Sequence, residues 1–171
     1  ASRGDAPANL RENFTRFCAA VGTDVNSLVK NHQIHSSRIR PVTRADILSD
    51  PAQPGTYEAD GLITVEPGVC LTIFSGDCIP ILRFETHSDV PEGLQPGLGE
   101  EAEELIRPLA APGKFSVDLK GANACLLRRA GVSPEHIAVC PACTACQLDT
   151  FWSHRVQGGQ RGSMAAMIQL V

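Results

Sequence analysis

No stretch of this chain is apolar for long. Even Val69 to Phe74 falls far short of the ~20 residues that a membrane span needs. No basic start leads into an apolar segment, so no secretory leader is read, and a cytoplasmic location is expected. Positive charge is also scarce. Fifteen Lys and Arg stand against nineteen Asp and Glu, a formal charge of -4 with no basic block, which argues against a nucleic-acid partner. Aromatic residues make up only 5% of the chain, too few to suggest stacking platforms for bases. What remains is a globular protein of 171 residues, long enough to bury one core of ordinary size.

Cysteine, by contrast, is plentiful, with seven residues. An odd number cannot pair completely, and without a secretory leader thiols or metal ligands are expected rather than a disulfide framework. Cys18 and Cys125 fall on the apolar stripes of predicted helices and Cys70 in a strand-like run, so all three read as small buried hydrophobes.

Leu10, Phe14, Phe17, Cys18 and Val21 recur at helical spacing, which predicts a helix over about 6–21, capped by Asp5 and closed at Gly22. Residues 28–42 read as extended, with Pro41 at a strand end. Residues 43–60 read as loop with one helical turn. Gly61–Val65 and Val69–Phe74 read as strands split by Pro67-Gly68, and Ile79–Leu82 as a third. Pro91–Gly99 reads as loop, and Leu98, Ala102, Leu105, Ile106 and Leu109 predict a second helix ended by Pro108 and Pro112. Phe115–Val117 is a predicted strand. Asp118 caps a third predicted helix striped by Leu119, Ala122, Leu126 and Ala130, with Gly131 closing it. Ile137–Val139 and Met164–Leu170 are predicted closing strands. Without a regular βαβ rhythm, the expected class is α+β, with mixed sheets and helices layered in one domain over 1–171.

Four motifs carry chemistry. In Asn31-His32-Gln33-Ile34-His35, either histidine is a ligand or an ordinary hydrogen-bonded residue. Ser75-Gly76-Asp77-Cys78-Ile79-Pro80 takes a strand into a small-residue turn that presents a carboxylate and a thiol. The plainer alternative is a buried cysteine beside a turn aspartate. Cys140-Pro141-Ala142-Cys143-Thr144-Ala145-Cys146 looks like an incomplete zinc or iron–sulfur run, with His136 or His154 as conceivable fourth ligands, or like a thiol-rich turn. Phe151-Trp152-Ser153-His154-Arg155, followed by Gly158-Gly159-Gln160-Arg161-Gly162, could hold an anion such as phosphate or form a solvated β-turn. It lacks the lysine–serine ending of a nucleotide P-loop.

In this order the motifs resemble the laccase-domain (YfiH-like) family, known earlier as polyphenol oxidases and now as zinc-dependent purine nucleoside phosphorylases and deaminases. The resemblance begins at Arg3-Gly4-Asp5 and the helix with Asn9 and Asn13. It runs through His32 to His35, Ala59-Asp60-Gly61-Leu62-Ile63-Thr64, Ser75 to Pro80, Phe84-Glu85, Asp118-Leu119 and Asn123. It ends with Cys143-Thr144, Cys146, Phe151 to Arg155 and Gly162-Ser163-Met164. It implies a zinc held by two histidines and a cysteine, of which His35 and Cys78 are present. The second histidine belongs to a His-x-Gly-Trp-Arg-Gly motif that this sequence lacks. The favoured expectation is therefore a longer polypeptide, with further residues between Arg83 and Phe84; the alternative is a truncated chain unable to carry out the family's chemistry.

The implied activity is phosphorolysis of adenosine, inosine or guanosine, with methylthioadenosine as a further candidate, together with deamination of adenosine. Asp77 is the candidate for proton transfer, and Arg155 or Arg38 for holding phosphate. Two alternatives accompany this reading. One is oxidation of phenols by copper, for which a single His–Cys set is far short of a multicopper ligand count. The other is a non-enzymatic metal-binding module organised by Cys140, Cys143 and Cys146.

Overall fold

A computed structural model describes residues 4–76 and 84–171. The predicted strand Ile79–Leu82 lies outside them, as do Asp77 and Cys78. The chain is α+β, and its backbone contacts fall into two compact units, Ala1–Ser75 with Gly162–Val171, and Gly76–Arg161.

In the first unit, α1 spans Pro7–Val21. Its apolar stripe buries Cys18, and Gly22 closes it in the left-handed conformation at φ 76°, as the spacing predicts. The start differs by one residue. Ala6 occupies the N-cap position, while Asp5 Oδ1 accepts from the Ala6 N–H and from Asn9 Nδ2, both at 2.9 Å. Strand β1 (Leu28–Lys30) runs parallel to β4 (Cys70–Ser75), and β4 pairs antiparallel with β8 (Met164–Gln169). β2 (Ile39–Pro41) pairs parallel with β3 (Gly61–Ile63), and Pro41 ends its strand as expected. The one helical turn expected in the following loop is the 3₁₀ turn Arg44–Asp46.

Period-two alternation gives the central strand β4 two different faces. Cys70 joins Cys18 and Leu28 in one core, against which Phe14 and Met167 pack. Val29, Val42 and Val69 form a second, with Leu62 and Leu71 against it. A fully buried side chain such as Leu28 stabilises the fold by roughly 2 kcal/mol.

The second unit departs further from expectation. β5 (Phe84–Thr86) and β6 (Ile106–Pro108) flank β7 (Phe115–Val117), both antiparallel to it. The predicted loop 91–99 is instead helix α2 (Asp89–Leu98). Pro91 sits in the first turn, where its missing N–H has no partner to lose, and Asp89 and Glu92 favour the helix N-terminus. Only Pro96 interrupts the interior. The predicted second helix over 98–109 breaks up. Gly99 leaves helical geometry at φ 56°, α3 (Ala102–Leu105) is one turn, and Ile106 is already extended against Val117. The stripe was real but its geometry was not: Leu98, Ala102, Leu105 and Ile106 reach one core with Ala122 and Cys125 from three different elements.

Helix α4 (Leu119–Arg129) starts as predicted, with Asp118 Oδ1 accepting from the Gly121 N–H at 2.9 Å. A Cβ at Gly121 would come within 2.6 Å of Leu105 Cδ2, so any larger residue there would push the Leu105 side chain aside where α4 packs on α3. Residues 137–139 form no strand. A 3₁₀ turn over Pro134–His136 precedes them and the chain continues irregularly. The last helix, α5, is the single turn His154–Gln157. No helix among the described residues is long and apolar enough to cross a membrane.

Candidate functional site

Parallel pairing places the ends of β1 and β4 at one edge of their sheet. Leu28 is in register with Cys70 and Lys30 with Thr72, so both strands point the same way. From that edge β1 runs into Asn31-His32-Gln33-Ile34-His35, and β4 runs through Ser75 into Gly76 and then the residues Asp77 and Cys78. The carboxyl ends of neighbouring parallel strands are where ligands bind in many sheets of this kind. Gln33 fastens the two ends together: its Oε1 accepts from the Phe74 N–H at 2.7 Å. The hydroxyl of Ser75, at the tip of β4, is buried without a hydrogen-bond partner among the described residues.

The turn that carries His35 has an unusual backbone. At φ 59°, His35 is the one non-glycine residue with positive φ among the described residues. The cause is Asp60. Its carboxylate accepts from the N–H groups of Ile34 (3.2 Å), His35 (2.9 Å) and Ser36 (2.7 Å), and from the Ser36 hydroxyl (2.7 Å). Successive N–H groups converge on one anion only when the chain curls through the left-handed region. Burial works to raise the Asp60 pKa, but these bonds to its charged form outweigh that and bring it down to about 2. The turn is therefore rigid, and the His35 side chain it presents is exposed.

Arg38 follows on the same segment. Its N–H donates to Ser36 Oγ at 3.2 Å and its carbonyl accepts from Asp60 and Gly61, while the residue stays exposed. His32 forms an isolated parallel backbone β-bridge with Glu58 and is exposed. Asp77 and Cys78 lie outside the described residues. Arg155 belongs to the second unit, on α5, where Nη2 donates to the Glu85 carbonyl at 3.2 Å; Ser153 caps that turn by accepting from the Val156 N–H. Arg161, from the glycine-rich stretch that was a candidate anion holder, lies with its guanidinium so close to Gly76 that a Cβ there would sit 2.1 Å from Nη1.

Imidazole and thiolate suit zinc. His35, on a fixed turn beside the end of β4, has the right chemistry and presentation for one donor. Among the described residues, however, no three His, Cys, Asp or Glu gather as a metal-holding group. The C-terminal cysteines likewise do not form a triad: Cys143 and Cys146 are in contact, while Cys140 stands exposed.

A family model described as multi-copper polyphenol oxidoreductase laccase matches residues 1–92 and 83–171. A purine nucleoside phosphorylase of Mycobacterium tuberculosis is 24% identical over 212 residues, covering 96% of this chain and 81% of that protein. The purine nucleoside phosphorylase YlmD of Geobacillus stearothermophilus is 27% identical over 222 residues, covering 96% and 80%. Its crystal structure superposes with a TM-score of 0.79 at 26% identity, over 98% of this chain and 82% of that one. The Bacillus licheniformis hypothetical protein YfiH has the same fold, with a TM-score of 0.83 at 20% identity over 98% and 83%. Matched by that model along its whole length, the chain belongs to the multi-copper polyphenol oxidoreductase laccase family.

Proposed function

We propose that this protein is a purine nucleoside phosphorylase with adenosine deaminase activity, acting on adenosine, inosine or guanosine at a zinc site that includes His35 and Cys78. The observation that carries the reading is the joined pair of parallel strand ends, with Gln33 bonded to the Phe74 N–H two residues before Gly76. Relatives named purine nucleoside phosphorylases supply the substrate class.

A catalytic zinc takes three protein ligands and leaves a position open. His35 and Cys78 provide two, and the third is proposed to lie on a segment inserted between Arg83 and Phe84. Two facts support this: the matched stretches of 212 and 222 residues exceed the 171 of this chain, and the family model matches in two pieces that meet at 83–92. When bound, zinc supplies Lewis-acid activation. The chain's own residues do the remaining work. Asp60 fixes the backbone of the turn from which the exposed His35 imidazole projects. Asp77, adjacent to Cys78, is the proposed group for proton transfer. Phosphorolysis breaks the bond between the base and ribose C1′ as phosphate oxygen attacks that carbon, so phosphate must be held by positive charge. Arg38 and Arg155 are the proposed holders.

The test uses two substrates. Base release from inosine should require phosphate, whereas conversion of adenosine to inosine should proceed without it, since water is then the nucleophile. Arg155→Ala should raise the phosphate concentration needed for half-maximal base release and leave deamination largely intact. Base release that ignores phosphate would point to hydrolysis, and zinc-loaded protein that turns over no nucleoside would overturn the purine reading.

A further inference from the structure

The loop from Cys140 to Cys146 divides into two parts with different constraints. Lys120, 8% exposed, donates from Nζ to the carbonyls of Cys140, at 2.8 Å, and of Ala142, which pins the first part. The second part closes on itself. The N–H groups of Cys146 and Gln147 donate to the Cys143 carbonyl at 3.2 and 3.1 Å. A turn closed from i to i+3 keeps its end Cα atoms within about 7 Å. Disulfides bridge Cα separations of roughly 4.4–6.8 Å, so this turn needs little adjustment to accept one. The side chain of Cys143 lies close enough to that of Cys146 to raise the Cys146 thiol pKa. Cys143 is 8% exposed and Cys146 is open to solvent, which separates an accessible sulfur from a protected one.

We propose that Cys143 and Cys146 form a reversible dithiol–disulfide site that exchanges with low-molecular-weight disulfides. The Cys146 thiol loses its proton, and its sulfur attacks one sulfur of the small disulfide, forming a mixed disulfide and releasing one small thiolate. The Cys143 thiol then loses its proton, and its sulfur attacks Cys146 Sγ, displacing the second small thiolate. The two small thiolates take up the two protons. The protein is oxidised by two electrons and the small disulfide is reduced to two thiols. Cys140 takes no part, since Lys120 holds its backbone and, among the described residues, the three cysteines do not gather as a metal-holding group.

The purified protein should be equilibrated with mixtures of reduced and oxidised glutathione, quenched in acid, alkylated and mapped by peptide mass. The expected result is a Cys143–Cys146 bridge that appears as the oxidised fraction rises and disappears in excess reduced glutathione, with Cys140 alkylated throughout. Cys143→Ser should retain glutathione on Cys146, because the resolving sulfur is gone, and Cys140→Ser should behave as the wild type. Stable glutathione on Cys146 of the wild type would overturn the proposal. So would a bridge to Cys140, or full alkylation of both thiols in the most oxidising mixture. The wild-type map alone decides this if a variant fails to fold.

Discussion

The turn at 33–36 and the loop at 140–146 are each held by one charged side chain from elsewhere in the sequence, a carboxylate in the first and an ammonium in the second. Asp60 collects three successive N–H groups and a hydroxyl; Lys120 collects two carbonyls. The difference in sign decides the backbone. Carbonyls of residues 140 and 142 reach an ammonium without any residue of that loop leaving ordinary φ, whereas convergence of successive N–H groups puts His35 at φ 59°. Strain of this kind costs on the order of 1–3 kcal/mol and persists only where the surroundings enforce it. The carboxylate therefore sets the strained backbone that carries His35, while the ammonium mainly fastens a loop.

The largest expected effect follows from removing the carboxylate. Asp60→Ala should lower unfolding free energy by about 2–3 kcal/mol in urea titrations, because four donors lose a charged acceptor at a partly exposed site. His35 should relax to negative φ, and metal affinity should fall with it. Asp60→Asn should recover part of the stability, since its single acceptor oxygen can serve only some of the donors.

The same group sets an acid response. Its folded pKa of about 2 lies below the ordinary 3.8, so its contribution is fully present above about pH 4 and is lost as pH falls towards 2. That part of the acid dependence should be missing from Asp60→Ala. If the variant keeps the wild-type acid profile, the carboxylate does not hold the turn.

Removing the ammonium should have a smaller effect. Lys120→Met keeps the apolar stem packed but leaves two carbonyls without their donor, and a loss of about 1–2 kcal/mol is expected. Hydrogen exchange should quicken over 140–147, while metal content stays at the wild-type level. Smallest is Gln33→Leu, which removes one acceptor from the Phe74 N–H and should cost about 1 kcal/mol. Its sharper readout is metal affinity, which should weaken several-fold if Gln33 holds the two strand ends in register. Unchanged affinity would separate the histidine turn from the end of β4.

How much of this could be read from the sequence depends on the range of the interaction. α1 and α4 were legible because their stripes, Gly22 and the Asp118 cap are local signals. β4 and β8 were legible from apolar runs bounded by turn residues. α2 was hidden by its prolines, which read as breakers although Pro91 falls where a helix tolerates one. Ile106 was drawn into a helical stripe because burial against Ala122 and Cys125 looks the same from strand or helix. At the site, the histidine motif was visible but its anchor was not: Asp60 lies 24 residues beyond Ser36, and nothing local marks it as the acceptor. The three evenly spaced cysteines likewise gave no hint that Lys120, twenty residues earlier, would hold Cys140 and leave a pair.

Metal is expected at the joined ends of β1 and β4 and not in the cysteine loop. Elemental analysis of the purified protein and four variants tests it most directly. One zinc per chain is expected in the wild type, retained in Cys140→Ser and Cys143→Ser and lost in His35→Ala and Cys78→Ala. Zinc retained in His35→Ala and Cys78→Ala but lost in Cys143→Ser would contradict it.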